Sequence, residues 1–203
     1  MFTEIKKFGD NLIDSFGTIS NDRKKLLLQI TDYIQHKKDQ NSPIHLVYIC
    51  THNSRRSHFG QVWAAVAACY YGVPNVFTYS GGTEATAFNH NAINSLKKTG
   101  FVITNNQATS NPIYTVAFGE GKNTTCFSKV YNHTANPQSG FAAIMTCSDA
   151  DENCPFISGV ELRIGTTYDD PKAFDNTDLQ DVKYDERSRQ IALETFFVFS
   201  QIQ

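Results

Sequence analysis

The sequence predicts an α/β protein, a three-layer sandwich about a central parallel four-stranded sheet, with N-terminal helices and an inserted β-hairpin. Three observations predict it. Short apolar runs at 44–49 (IHLVYI), 75–80 (NVFTYS), 141–146 (FAAIMT) and, more weakly, 161–165 (ELRIG) read as strands. The first is apolar, β-branched and aromatic, as in a strand buried on both faces, and is assigned the central place. Segments of helical periodicity follow the first two runs, and a strand-helix-strand-helix order implies a parallel sheet with right-handed crossovers.

Residues 1–42 read as two helices forming an N-terminal extension ahead of a domain spanning 43–203. The second helix opens on the cap Ser20-Asn21-Asp22, continues through RKKLLLQITDYIQHKKD and stops at QNSP. HFGQVWAAVAACYYG (58–72) closes on Gly72, with Pro74 beyond it. Asn89 caps HNAINSLKKTG, which ends at Gly100, and FVIT (101–104) is a short apolar stretch. From about 105 to 140 the style changes: PIYTVAF and TCFSKVYN alternate and are aromatic-rich, and GEGKNT separates them, which predicts the inserted hairpin. The periodic KYDERSRQIALETFFVFSQI closes the chain as a helix.

The 203 residues suit one well-filled core, and 40% apolar with 19% charged residues is the composition of a globular protein. A net charge of −2 gives no global pull toward nucleic acid or anionic lipid, so neither is expected as a partner and anion recognition has to be local. No window is long and apolar enough for a membrane span, and MFTEIKKFGDNLIDSFG lacks the pattern of a signal peptide, so a cytoplasmic location is expected. Five cysteines form an odd set, which favours thiol chemistry over a static disulfide framework.

The stretch ICTHNSRRS (49–57) joins the first strand to the first crossover helix. A loop so placed, without bulky apolar residues, lets backbone amides curl into an oxyanion cradle on the positive end of the helix. Thr51, His52, Asn53, Ser54, Arg55, Arg56 and Ser57 are the candidate oxyanion-binding residues, with the Arg56 fork holding two oxygens of a tetrahedral anion. The same positive surroundings favour the thiolate of Cys50, to which Ser57 is placed to donate, making Cys50 a candidate nucleophile. The competing interpretation is a small buried thiol in a pattern that arises by chance.

Cys147 follows the strand FAAIMT and therefore leaves the sheet at the same carboxyl edge as Cys50, where open α/β folds place their sites. Cys154 lies seven residues on, across the polar SDADEN. Alternatives are a structural zinc site completed by a histidine such as His52, whose cysteine pairs usually come at closer spacing, or inert buried thiols. No metal site is assigned. Cys69 in a helix and Cys126 in the hairpin are read as structural. In YDDP, Asp170 and Asp169 are both candidates for a general acid.

The loop resembles the Cys-Thr-Gly-Asn-Ser-Cys-Arg-Ser loop of thioredoxin-coupled arsenate reductases, built on the low-molecular-weight protein tyrosine phosphatase fold. Cys50, Thr51, Asn53, Ser54, Arg56 and Ser57 agree, while His52 replaces the glycine and Arg55 the second cysteine. TYSGGTEATAFNHNAINSLKKTGFVI, CSDADENCP and YDDP extend the resemblance over most of 44–203; residues 1–42 and 105–140 have no counterpart in short members of the family.

The resemblance implies a relay. Cys50 attacks arsenate, Cys147 attacks the adduct and releases arsenite, and Cys154 attacks the Cys50–Cys147 disulfide, which asks for a flexible segment between Cys147 and Cys154. Thioredoxin would reopen the resulting disulfide, no bound cofactor is needed, and Asp170 rather than Asp169 is the acid. Many members hold a potassium ion; Gln61 stands where a glutamate helps bind it, and no aspartate stands at the matching place near Thr109, so the ion is not carried over. The same Cys50, Arg56 and Asp170 would serve a phosphatase acting on phosphate monoesters through a Cys50 phosphocysteine. A third alternative is an inactive oxyanion-binding regulatory protein. Arg55 either strengthens anion binding or faces solvent.

Overall fold

The computed structural model describes residues 1–105, 108–153 and 156–203. In chain order the elements are α1 (Thr3–Ile13), α2 (Asn21–Asp39), β1 (Ile44–Cys50), α3 (Arg56–Tyr71), β2 (Val76–Gly82), α4 (His90–Lys98), β3 (Val102–Asn105), β4 (Tyr114–Gly119), β5 (Lys122–Cys126), β6 (Phe141–Met145), α5 (Ser148–Asn153), β7 (Val160–Gly165) and α6 (Gln180–Ser200). Single 3-10 turns lie at Phe16–Thr18 and Pro171–Phe174. No helix among the described residues is long and apolar enough to cross a membrane.

Four strands pair in parallel in the order β2-β1-β6-β7, with β1 inside the sheet as its apolar sequence requires. Ile49 on β1 lies beside Gly81 on β2 and Met145 on β6. Cys50 and Cys147 therefore leave neighbouring strands at the same edge.

The two faces of the sheet are covered unequally. Ile44, Leu46 and Tyr48 pack toward α2, α3 and α6, while Val47 and Ile49 pack with Met145, with Ala150 of α5 and with Ile157. Helix α3 is buried almost all round, through Phe59, Val62, Trp63 and Val66 and through Ala64 and Ala67, whose small side chains suit an interior helix. It ends where Gly72 turns left-handed at φ 68°. The Ser20 side chain accepts from the Arg23 amide to start α2, and Asn89 does the same for α4 at Asn91 and Ala92.

Ile5 and Leu12 of α1 and Leu27, Ile30 and Ile34 of α2 enter the same core as the sheet. Fully burying each such side chain contributes about 1.5 to 3 kcal/mol. Arg23 reaches further: its Nη2 donates to Glu194 Oε2 at 2.7 Å and to the Thr166 carbonyl at 2.8 Å. Glu194 also accepts the Tyr168 hydroxyl at 2.7 Å, so an N-terminal helix braces the loop after β7.

Two segments differ from expectation. FVIT becomes β3, which pairs antiparallel with β4 and so joins the hairpin β4–β5 in a second, three-stranded sheet. Within β3 only Ile103 is buried, too little apolar surface for a strand covered on both faces. SDADEN, expected as a flexible segment, forms α5. Its early Asp149 and Asp151 suit a helix N-terminus, Ala150 packs inward, and Asp151 Oδ1 lies 2.8 Å from Arg163 Nη2.

The chain returning from β5 does not stay apart from the parallel sheet. The Gly82 amide donates to the Lys129 carbonyl at 2.9 Å and the Tyr131 amide to the Gly82 carbonyl at 2.8 Å. Gly82 sits where three backbones meet: a Cβ there would lie 2.4 Å from the Glu84 carbonyl oxygen, 2.6 Å from that of Thr51 and 2.7 Å from the Asn53 nitrogen. Gly82→Ala is expected to cost about 1 to 3 kcal/mol in urea unfolding, the usual range for overpacking, because no flexible side chain there can yield.

His58 of α3 is fully enclosed, stacked on Phe88 at 4.0 Å with Nδ1 3.2 Å from Ser80 Oγ. Burial, and then the nearby Lys129 charge, hold its pKa well below 6.5, so the folded protein keeps it neutral. Below about pH 6.5 the unfolded chain binds a proton that the folded one refuses, and stability falls by up to about 1.4 kcal/mol per pH unit. Urea unfolding at pH 7 and pH 5 should therefore show a smaller pH 5 loss for His58→Gln than for wild type; equal losses would contradict a neutral buried imidazole.

Candidate active site

The loop between β1 and α3 is shaped by Asn53. It is fully buried and adopts φ 43°, and so takes the left-handed conformation that a glycine would otherwise supply. His52, which replaces the family glycine, is not among the residues of positive φ, so its side chain meets no backbone penalty. Asn53 Oδ1 accepts the Lys129 amide at 2.8 Å, and its Nδ2 donates to Ser57 Oγ at 2.9 Å.

With Asn53 supplying that hydrogen, the Ser57 hydroxyl is free to donate its own proton to Cys50 Sγ, 3.1 Å away. Both residues are buried. The amides of His52, Asn53, Ser54 and Arg55 donate to no acceptor among the described residues, and α3 begins immediately afterwards with its own unpaired N–H groups. The arrangement is an anion cradle with the sulfur at its base.

Outside the cradle, Ser54 Oγ donates to the Ala87 carbonyl at 2.7 Å, and its own carbonyl accepts the Asn89 amide at 3.0 Å. Thr86 Oγ1 and Ser128 Oγ both donate to the His52 carbonyl, at 3.0 and 3.1 Å. The His52 ring, partly exposed, lies 3.2 Å from Glu84 Oε1. Cys147 Sγ is 3.4 Å from Thr51 Oγ1, which puts a second buried thiol beside the loop that begins at Cys50. Cys154 lies outside the described residues.

Both arginines are buried and neither faces solvent. Arg56 donates through Nη1 to the Tyr168 carbonyl and through Nη2 to Asp170 Oδ2, each at 2.7 Å. Its Nε is buried and finds no acceptor among the described residues, a donor left over in the site. Arg55, expected either to strengthen anion binding or to face solvent, does not face solvent: it donates from Nε to the Tyr184 hydroxyl at 2.9 Å and places Nη1 3.5 Å from the same Asp170 oxygen.

The Tyr184 hydroxyl donates in turn to Asp175 Oδ1 at 2.7 Å; burial, and then that carboxylate, push its pKa up to about 12. Asp170 is thus the carboxylate beside the cradle. Asp169 is 98% exposed and, among the described residues, lies 3.4 Å from Arg187.

Sequence reading missed Tyr168, Tyr184 and Lys129. Tyr168 stands in YDDP, which the sequence marks for its carboxylates alone, while Tyr184 and Lys129 come from distant segments, and nothing in SKVYN or KYDE signals a contact with residues 50–57. Lys129 is 4% exposed; its ammonium reaches the Phe127 carbonyl at 3.3 Å and lies 4.3 Å from the centre of the Phe127 ring, and burial lowers its pKa to about 8.

Lys129 lines a cavity of about 220 Å³ with Gln61, Thr78, Thr124 and Thr125. Gln61 Nε2 donates to Thr124 Oγ1 at 2.9 Å and to the Thr125 carbonyl at 2.8 Å. These residues do not fit a potassium ion, because an ammonium already lines the cavity and no carboxylate does. Cys126, at the end of β5, is buried with its pKa pushed up to about 12 by desolvation, and half-buried Cys69 accepts from Lys122 Nζ at 3.2 Å. Neither joins the cradle.

No protein-family profile matches the chain. Among curated proteins it is 30% identical to arsenate reductase 2 of Staphylococcus haemolyticus over 152 residues, covering 74% of this chain and 94% of that one. Arsenate reductase 2 of Staphylococcus epidermidis matches at 29% identity over the same shares.

Among solved structures, YwlE from Bacillus subtilis aligns with TM-score 0.52 and 12% identity over 78% of this chain and 97% of its own. A low-molecular-weight phosphotyrosine phosphatase from Vibrio cholerae aligns with TM-score 0.51 and 11% identity over 77% and 95%. Those structures establish the shared fold, and the sequence relationship carries the assignment further: the chain belongs to the arsenate reductase family built on the low-molecular-weight protein tyrosine phosphatase fold.

Proposed function

We propose that the protein reduces arsenate to arsenite through Cys50, Cys147 and Cys154, with thioredoxin as the external reductant. The observation that carries this reading is the second buried thiol, Cys147, at 3.4 Å from Thr51 of the cradle loop. Hydrolysis of an ester has no use for it.

In the first step the Cys50 thiolate attacks arsenic, an oxygen leaves as water with a proton from Asp170, and a Cys50–arsenic(V) bond forms. The Cys147 thiolate then attacks Cys50 Sγ. The sulfur–arsenic bond breaks with its electron pair passing to arsenic, which leaves as arsenite, and a Cys50–Cys147 disulfide forms. The Cys154 thiolate attacks Cys147 and frees the Cys50 thiolate. A thioredoxin dithiol reduces the remaining Cys147–Cys154 disulfide, so each arsenate consumes two electrons from one dithiol. Helix α5 separates Cys147 from Cys154, and this reading requires its short span to yield during the exchange.

A second reading is hydrolysis of phosphate monoesters through a Cys50 phosphocysteine. Its support is that Cys50, Ser57, Arg56 and Asp170 form a complete set for that reaction without the other thiols.

Arsenate-dependent oxidation of reduced thioredoxin, measured beside hydrolysis of an aryl phosphate, divides the two. Cys50→Ser is expected to abolish both activities, while Cys147→Ser and Cys154→Ser abolish arsenate turnover and leave hydrolysis within about threefold of wild type. Arsenate turnover that survives loss of Cys147 rules out the relay. Phosphate binding without either activity in wild type supports an oxyanion-binding regulatory protein instead.

Removing the hydroxyl beside the nucleophile gives a further check. Ser57→Ala should slow alkylation of Cys50 by iodoacetamide at pH 7 by roughly tenfold, the effect of one charge-assisted hydrogen bond. An unchanged rate would mean that Ser57 does not donate to the sulfur.

A further inference from the structure

Asp170 occupies the guanidinium that an incoming anion needs. Its Oδ2 sits 2.7 Å from Arg56 Nη2, and Arg56 Nη1 donates to the Tyr168 carbonyl at 2.7 Å, so the edge of the fork that carries the unpaired Nε is the one Asp170 shares through Nη2. A tetrahedral oxyanion that binds the Nε–Nη2 edge with two oxygens therefore competes with this carboxylate at Nη2. A carboxylate left beside a dianion on the same nitrogen is repelled by it.

A second guanidinium stands ready on the same oxygen. Arg55 Nη1 is 3.5 Å from Asp170 Oδ2, longer than a good hydrogen bond and shorter than the limit of an ion pair. Arg55 is held from behind. Its Nε donates to the Tyr184 hydroxyl, which donates to Asp175 Oδ1, and its own side chain is 10% exposed. A buried arginine fixed through Nε, with Nη1 directed to a carboxylate that another arginine already binds, has spare binding capacity in a defined place. Arg55 also replaces the second cysteine of the family loop, so this capacity belongs to the present chain.

We propose that Asp170 is an internal occupant of the Arg56 clamp, and that Arg55 is a positioning residue that receives Asp170 when an oxyanion enters. The anion takes Arg56, Asp170 Oδ2 closes from 3.5 Å onto Arg55 Nη1, and the carboxyl group stays beside the cradle where the reaction needs it. No bond other than hydrogen bonds is made or broken. The proposal rests on Arg56 as the oxyanion clamp, common to both functional readings, and is independent of the thiol relay.

The test is a double-mutant cycle on inorganic phosphate binding to the reduced full-length chain, read by calorimetry at fixed ionic strength for wild type, Arg55→Gln, Asp170→Asn and the double variant. Removing the internal competitor should tighten binding at least fivefold in Asp170→Asn. Removing its receiver should weaken binding at least fivefold in Arg55→Gln. In the Asp170→Asn background the same Arg55→Gln change should move the affinity less than threefold.

Equal effects of Arg55→Gln in both backgrounds would mean that Arg55 binds the anion directly, and would overturn the proposal. So would weaker binding in Asp170→Asn. If none of the four proteins binds phosphate, the Arg56 clamp falls with it. Arg55→Lys guards against misfolding: it keeps the charge and loses the fork, and at a wild-type melting temperature its affinity should fall between wild type and Arg55→Gln.

Discussion

The structure turns on one backbone constraint: five residues, Thr51 to Arg55, must carry the chain from the end of β1 to the start of α3 while the amides of the last four stay unpaired among the described residues. Such a loop cannot hold itself, because the groups that usually stabilise a turn are those kept for an anion. It is held from outside. Asn53 supplies the left-handed residue and ties the loop to Ser57 ahead and to the Lys129 amide beside it. Thr86 and Ser128 grip the His52 carbonyl, and the Thr51 carbonyl accepts the Glu84 amide at 2.9 Å. Gly82 lets these backbones approach. The segment after β5, though it follows strands that lie outside the parallel sheet, thereby becomes support for the site.

Charge is arranged by the same economy. Two buried guanidiniums lie beside the cradle, and a buried charge without a partner is costly, so the free protein pairs them with Asp170, Tyr168 and Tyr184. Tyr168 is fixed in turn by Glu194, and Glu194 by Arg23 of α2. The N-terminal helices thus reach the candidate site through Arg23, Glu194 and Tyr168. An anion on the Nε–Nη2 edge of Arg56 meets Asp170 at Nη2, which links its affinity to the loop that carries Asp170 as well as to the cradle.

What was legible in the sequence was local or periodic. ICTHNSRRS marks a strand end, a small polar turn and a helix start within nine residues, and the buried type of IHLVYI and FAAIMT gives the parallel sheet whose edge gathers Cys50 and Cys147. The parts not legible depend on distance along the chain. Arg55 gives no sign of Tyr184, 129 residues away, and TCFSKVYN reads as hairpin with no sign that Lys129 lies under the loop. FVIT was too short for its periodicity to separate a buried strand from an edge strand. The acidic SDADEN looked irregular because its helical support, Ala150 packing and the Arg163 pair, is tertiary.

The central claim is that Cys50 takes the arsenic and the other two thiols close the cycle. It is tested most directly by a single turnover: reduced full-length protein mixed with arsenate and no reductant, quenched with an alkylating agent and mapped by mass spectrometry, with arsenite measured in parallel. The account predicts one arsenite per chain, a Cys147–Cys154 disulfide, and Cys50 recovered as an alkylated thiol. Arsenite released with those two cysteines still reduced, or a disulfide that includes Cys69 or Cys126, would contradict it.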